Sequence, residues 1–116
     1  MFLKKNSFLK IIDKTPLCSI DILINIKNKY LFGLRNNKPA NNYYFVPGGR
    51  ILKNEDYEKT ISRILKTELG ISIKNIKYSI IGIFNHFYKN NVYGVKNINT
   101  HYFVCAINII LKKNFY

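Results

Sequence analysis

Three arginines and a cluster of carboxylates are the residues best suited to chemistry in this 116-residue chain. Only six acidic residues are present: Asp13, Asp21, Glu55, Asp56, Glu58 and Glu68. Four of them fall between positions 55 and 68, against a formal net charge of +13. That stretch also reads as the best helix in the chain. Asn54 is a suitable N-cap, Glu55 and Asp56 suit the positive end of the helix dipole, and Gly70 is a natural terminator. With Tyr57 at zero and about 100° per residue, Ile61, Ile64 and Leu65 form one apolar stripe, and Glu68 falls in its middle. A carboxylate driven toward a core is costly unless it is paired, protonated or bound to a metal. Two readings follow: a salt bridge to Arg63 or Arg50, or a metal ligand on the floor of a pocket.

The segment before the helix favours the metal. Phe45-Val46-Pro47-Gly48-Gly49-Arg50 places two glycines between a short strand and the helix. Glycines let a backbone approach a ligand closely and present its carbonyls or N–H groups. A Pro-Gly-Gly turn is weak evidence alone, but here it stands opposite the carboxylate cluster. Arg35, Arg50 and Arg63 are the chain's only arginines in a sequence otherwise biased toward lysine. Guanidinium groups retained in that background fit a need for bidentate phosphate contacts.

The elements that must position these residues read as follows. Phe8 to Ile12 is a short helix or docking arm, ended at Thr15-Pro16. Leu17 to Ile26 is a β-branched strand, and Lys27-Asn28-Lys29 turns into a second strand from Tyr30 to Arg35. Tyr43 to Val46 is a short strand stopped by Pro47-Gly48-Gly49. After the helix come three β-rich stretches, Ile71 to Ile73, Ile76 to Tyr88 and His101 to Leu111. The order predicts an α+β fold with a mixed sheet in a single domain over residues 1–116. His86 and His101 lie in strand-rich segments, where a pocket-wall or core histidine is the ordinary role.

Composition narrows the function. A hydrophobic fraction of 47% supports a real core, and no run approaches the ~20 apolar residues needed to span a bilayer. The N-terminus lacks the apolar run of a signal peptide. Cys18 and Cys105 are far apart, sit in apolar strands and read as reduced core residues of a cytoplasmic protein. The lysines are scattered, which argues against a dedicated nucleic-acid site and for general attraction to a small polyanion.

Assembled, these residues resemble the Nudix box, G-x5-E-x7-R-E-U-x-E-E-x-G-U with U a bulky aliphatic residue. Gly49, Glu55, Arg63, Leu65, Glu68, Gly70 and Ile71 fit it without a gap, while Ile64 and Thr67 replace two of its glutamates. Beyond the box, Thr15-Pro16-Leu17, Gly33-Leu34-Arg35, Phe45 to Arg50, His86-Phe87-Tyr88 and Thr100-His101-Tyr102 resemble the GDP-mannose mannosyl hydrolase branch, which lacks those glutamates. The resemblance covers nearly the whole chain.

It implies a Nudix-type α/β/α sandwich and Mg²⁺-dependent cleavage of GDP-mannose, or a related GDP-sugar, by substitution at the anomeric carbon. By the same resemblance, Gly49 and Glu68 hold the metal, and Arg35 and Arg50 contact the diphosphate. Arg63 orients the metal site or its water, and His86 and Tyr102 bind or neutralise the departing nucleotide. A homodimer braced by the N-terminal arm is also implied. The family pattern continues past Tyr116 with an acidic loop, its Gln and His, a last strand and a C-terminal helix. The short chain is therefore expected to lack that helix and general base, leaving one sheet face bare. A nucleotide-sugar-binding domain or remnant without turnover is the alternative.

Overall fold

The computed structural model describes residues 3–26, 29–30, 33–34 and 44–111. In chain order the elements are α1 (Lys5–Lys14), β1 (Leu17–Ile26), β2 (Lys29–Tyr30), β3 (Gly33–Leu34), β4 (Tyr44–Phe45), β5 (Gly48–Arg50), α2 (Tyr57–Leu69), β6 (Tyr78–Tyr88) and β7 (Thr100–Leu111). The main sheet runs β2-β1-β7-β6, with β5 also on β1. β1 and β7 are parallel along their length, Leu17 to Ile26 against Tyr102 to Leu111. The β1–β2, β1–β5 and β6–β7 pairs are antiparallel. The sheet is therefore mixed and the fold α+β, as the order of elements predicts. β3 and β4 pair separately.

The core forms where α2 crosses one face of this sheet. Ile20, Ile22 and Ile24 of β1 stand in register with Cys105, Ile107 and Ile109 of β7. Ile61, Ile64 and Leu65 of α2 join the same cluster. Each such side chain contributes roughly 1.5–3 kcal/mol on leaving water, so this layer anchors the helix. Cys105 lies within it, and burial pushes its thiol pKa up, opposed by a hydrogen bond with the Tyr57 side chain. Cys18 is exposed. The expectation of two core cysteines thus fails for Cys18, two residues before Ile20 on the same face.

The opposite face is not bare. Leu17, Ser19, Val104 and Ala106, all on that side, are buried. α1 contributes buried Ile12, and its Phe8 ring lies 4.0 Å from the Arg50 guanidinium. Helices thus serve both faces of the sheet. Among the described residues, no helix is long and apolar enough to cross a membrane.

Three local expectations are corrected. Asp56, not Asn54, caps α2, its carboxylate accepting the Lys59 N–H at 2.9 Å. Asn54 instead takes a left-handed turn with φ 71°, a region asparagine tolerates better than most residues. Ile71 to Ile73 is not a strand, although Ile71 is buried in the core. Its N–H reaches the Leu65 carbonyl at 3.2 Å across left-handed Gly70, which closes the helix and carries the chain away from sheet pairing.

Most important for the site, Gly48-Gly49-Arg50 does not merely stop a strand. It forms β5, pairing Gly48 with Asp21, Gly49 with Ile20 and Arg50 with Ser19. A Cβ on Gly48 would sit 2.6 Å from the Ile20 carbonyl oxygen and 2.7 Å from Asp21 Oδ1, whereas one on Gly49 would meet the Ile64 side chain at 3.4 Å. Gly48→Ala is therefore expected to destabilise the fold by about 1–3 kcal/mol in urea unfolding. Gly49→Ala should stay within about 1 kcal/mol, since Ile64 can yield.

Candidate active site

The site is assembled around β5. Alternation along this short strand sends Arg50 to the face that carries Ser19, and Gly49 to the face that carries Ile20 and α2. α2 passes over Gly49 at Ile64. The resulting cavity, of about 210 Å³, is lined by Gly48, Gly49, Arg50, Leu52, Arg63, Ile64, Thr67 and Glu68. Four of the sequence-selected residues, Gly49, Arg50, Arg63 and Glu68, thus converge on one space.

Glu68 occupies it differently from the helical-wheel expectation. Its residue is exposed rather than driven into the core. The buried part of α2 is confined to Thr60, Ile61, Ile64 and Leu65. One turn further on, the helix overhangs the two glycines, which supply no side chains to cover it. Glu68 therefore borders an open cleft. Ile64 and Thr67, in the two substituted box positions, are respectively buried against Gly49 and on the cavity wall. Neither brings charge. The lining residues include one carboxylate, Glu68, and two arginines, of which Arg50 turns its side chain to the other sheet face.

Arg63 is held in place by Glu55. Arg63 Nε donates to Glu55 Oε2 at 2.8 Å and Nη2 donates to Oε1 at 2.9 Å. Nη2 also donates to the Arg50 carbonyl at 2.6 Å. Glu55 further accepts the Leu52 N–H at 2.9 Å and the Thr60 hydroxyl at 3.1 Å. The Arg63 hydrogen bond is the main reason its pKa falls to about 2, from an ordinary 4.5. Burial opposes the shift, and the Leu52 N–H, the Arg63 charge and Thr60 assist it. Sequence reading explained Glu55 through the helix dipole, but Glu55 lies before the N-cap and serves as Arg63's partner. It also places Arg63 on Glu55, not in the salt bridge to Glu68 considered from the sequence. The eight-residue interval between Glu55 and Arg63 was the available signal. It spans the N-cap and two helical turns, so helical geometry alone does not reveal it.

On the other face, Arg50 lies over the Phe8 ring, and Phe8 meets Tyr93 edge-to-face at 6.2 Å. Burial lowers the Arg50 pKa; the Tyr102 hydroxyl opposes this, Arg63 adds to it and Tyr93 opposes it. The guanidinium remains charged at neutral pH, so it is a partly desolvated cation suited to an anion. Tyr102 stands across from His86 in the β6–β7 ladder. Tyr88 packs edge-to-face on both His86 and Tyr102. His86 and Tyr102 therefore share the Arg50 face without lining the cavity. His101 belongs to the opposite face, 2.9 Å from Asn85 Oδ1 and stacked on Phe87. Arg35 lies outside the described residues.

Phe8, Tyr93 and Asn91 were not singled out from the sequence. Asn91 is fully buried, and its amide bonds Val95 and Ile98 carbonyls and the Tyr93 and Val95 N–H groups. It fixes the loop that carries Tyr93. Asp21 was read only as a polar break in a strand; its carboxylate lies against Gly48.

The turn, helix and cavity agree with the comparison to known families. A NUDIX domain profile matches residues 19–114. The chain belongs to the Nudix family. Low-salt glycan biosynthesis protein Agl8 of Haloferax volcanii is 36% identical over 102 residues, covering 87% of this chain and 63% of that relative. The present chain thus spans less than two thirds of its length. Among solved structures, a MutT NUDIX hydrolase from Burkholderia pseudomallei superposes with a TM-score of 0.69 at 18% identity, covering 87% of this chain and 71% of that one. A MutT/nudix family protein from Enterococcus faecalis gives 0.66 at 16% identity, covering 98% and 51%. The NUDIX domain of Shewanella oneidensis NrtR, complexed with ADP ribose, gives 0.62 at 16% identity, covering 97% and 73%. At these identities the structural likeness concerns the Nudix fold.

The clamp has a pH signature. Because the folded Glu55 pKa lies below its ordinary value, its stabilisation is full above the ordinary carboxylate range and is lost as pH falls toward about 2. Urea unfolding from pH 6 to pH 2 should show this loss. Glu55→Gln should flatten that acid limb and cost roughly 1.5–3 kcal/mol at neutral pH.

Proposed function

We propose that this Nudix domain hydrolyses a nucleotide sugar, GDP-mannose or a related GDP-sugar, to the nucleoside diphosphate and the free sugar, with Mg²⁺ bound at Gly49 and Glu68. The observation that carries the reading is the cavity beside β5, where Gly48, Gly49 and Glu68 meet and Arg50 and Arg63 stand in the same wall. Among the described residues there is no group of three or more His, Cys, Asp and Glu that could hold a metal ion by itself, so a cation here would draw on a backbone oxygen and on the substrate's phosphates.

The residues present fit a single hard cation. Glu68 supplies a carboxylate, and the Gly49 backbone lines the same cavity. Mg²⁺ commonly takes only one or two protein oxygens, with water and substrate phosphates completing its shell. When bound, it would neutralise charge on the diphosphate.

Substitution at carbon suits this sparse set. Water forms a bond to the anomeric carbon while the bond from that carbon to the diphosphate oxygen breaks. The electron pair leaves with the diphosphate, and one water proton is released. Negative charge thus develops on the leaving group, where the Arg50 guanidinium would stabilise it. Arg63 acts at one remove: engaged by Glu55, it fixes the Arg50 carbonyl and hence the turn that aligns Gly49 with Glu68. Tyr102 and His86, on the Arg50 face, would contact the nucleotide, and Arg35 would add a second guanidinium to the diphosphate. Support for a sugar substrate comes from the relative named for glycan biosynthesis and from the ADP-ribose complex of the NrtR NUDIX domain.

Incubation with GDP-mannose and Mg²⁺ in ¹⁸O water should place the label in mannose and none in GDP. Label in phosphate would move the reaction to phosphorus. Mg²⁺-dependent binding without product would select a binding domain. Glu68→Gln should weaken Mg²⁺-dependent GDP binding in calorimetry by tenfold or more, at about 1.4 kcal/mol per decade. Equal binding by the variant would remove the metal assignment.

A further inference from the structure

We infer that β6 is a self-association surface through which a second copy of this chain pairs edge to edge, antiparallel, about a two-fold axis near Asn85. β6 is the terminal strand of the main sheet among the described residues. An edge strand presents backbone N–H and C=O groups that can template another strand, and proteins normally blunt it with charge, proline or brevity. β6 has none of these defences; a bulge, another such device, falls between Ile80 and Gly82 near its start and leaves the rest of the strand regular. It is eleven residues long, Tyr78–Tyr88, with no charged residue and no proline, although 22% of the chain is charged. Lys77 and Lys89 bracket the uncharged run.

The side chains carry the same pattern. Ile80, Ile81, Ile83, Phe84 and Phe87 are all large, apolar and exposed, Ile83 to 56% and Phe87 to 68%. They flank the strand on both faces, Ile83 and Phe87 on the α2 side and Phe84 on the other, so the whole rim of the sheet is apolar and suited to contact. A nucleic acid is a poor occupant, because its phosphates need cations interleaved with the aromatic rings. A second copy is a good one. Two chains of +13 repel each other, and this uncharged strand is where they can approach without bringing cations together.

The register follows from the strand's geometry. A bulge between Ile80 and Gly82 interrupts pairing with β7 and leaves Gly82 to Tyr88 as the regular stretch. Its midpoint is Asn85. A two-fold axis there sets Ile83 of one copy opposite Phe87 of the other, twice, on the α2 side of the sheet. Such aliphatic–aromatic cross-strand pairs are favourable. On the other side, Phe84 of one copy comes opposite His86 of its mate, which brings the second copy beside a candidate nucleotide contact. The interaction is isologous and closes as a dimer. This gives the dimer a surface other than the N-terminal arm.

Sedimentation velocity of the full chain, over a dilution series at low and high NaCl, should show a dimer that tightens with salt as repulsion is screened. Ile83→Lys should weaken it at least about tenfold with an unchanged circular dichroism spectrum. An independent arm is Asn85→Cys in a Cys18→Ser background. Residues facing each other across an antiparallel pair lie about 4.5–5.5 Å apart, within disulfide range, so mild oxidation should cross-link two copies. A chain that stays monomeric throughout, or a dimer indifferent to Ile83→Lys that forms no Asn85→Cys cross-link, would overturn the assignment. So would association that dissolves as salt rises, the behaviour of a nucleic-acid bridge.

Discussion

The contact on which the site depends is the grip of Arg63 on both Glu55 and the Arg50 carbonyl. It joins three parts of the chain: the end of β5, the turn before α2, and the helix itself. β5 is also held by its ladder to β1, α2 by its apolar stripe, and the turn between them by the Leu52–Glu55 hydrogen bonds; Arg63 ties all three together. The Arg63 fork sets the spacing between Gly49 and Glu68, which is the distance a cation between them would sense. Small errors in such spacing are costly in a binding site, because hydrogen bonds and metal contacts weaken over fractions of an ångström.

This division of labour accounts for the differing environments of the charged residues. Glu55 is paired and partly buried, so its role is mechanical. Glu68 is exposed at a cavity from which the two glycines withhold side chains, so it can meet a ligand. Arg63 is committed to the first task. Arg50 belongs to neither group: its backbone is gripped, while its side chain lies on the other sheet face against Phe8 and within the electrostatic reach of Tyr102. One residue thereby couples the cavity side of the sheet to the aromatic side.

Much of the fold was legible in the sequence because its strongest signals are local. The β-branched run from Leu17 to Ile26 is a strand with the predicted bounds, and Gly70 ends the helix in the left-handed conformation anticipated for it. The failures arise where a non-local contact decides. Glu55 and Asn54 have good helix-start chemistry, yet Asp56 takes the cap because Glu55 is drawn back to Leu52 and Arg63. Gly48-Gly49-Arg50 looks like a turn, yet the close fit of Gly48 against Ile20 and Asp21 makes it a strand. Neither partner is visible from the segment itself.

Glu68 shows the same limit from the opposite direction. A helical wheel assumes that whatever lies opposite the apolar stripe is continuous along the helix. Here the opposing surface ends at two glycines, so one angular position means core at Ile61 and Ile64 but cleft at Glu68. The periodicity found the correct direction, and the missing side chains determined the environment. An acidic residue in phase with a core stripe is therefore best judged by what the facing segment can fill. Where that segment is glycine, the carboxylate faces a space rather than a packed core.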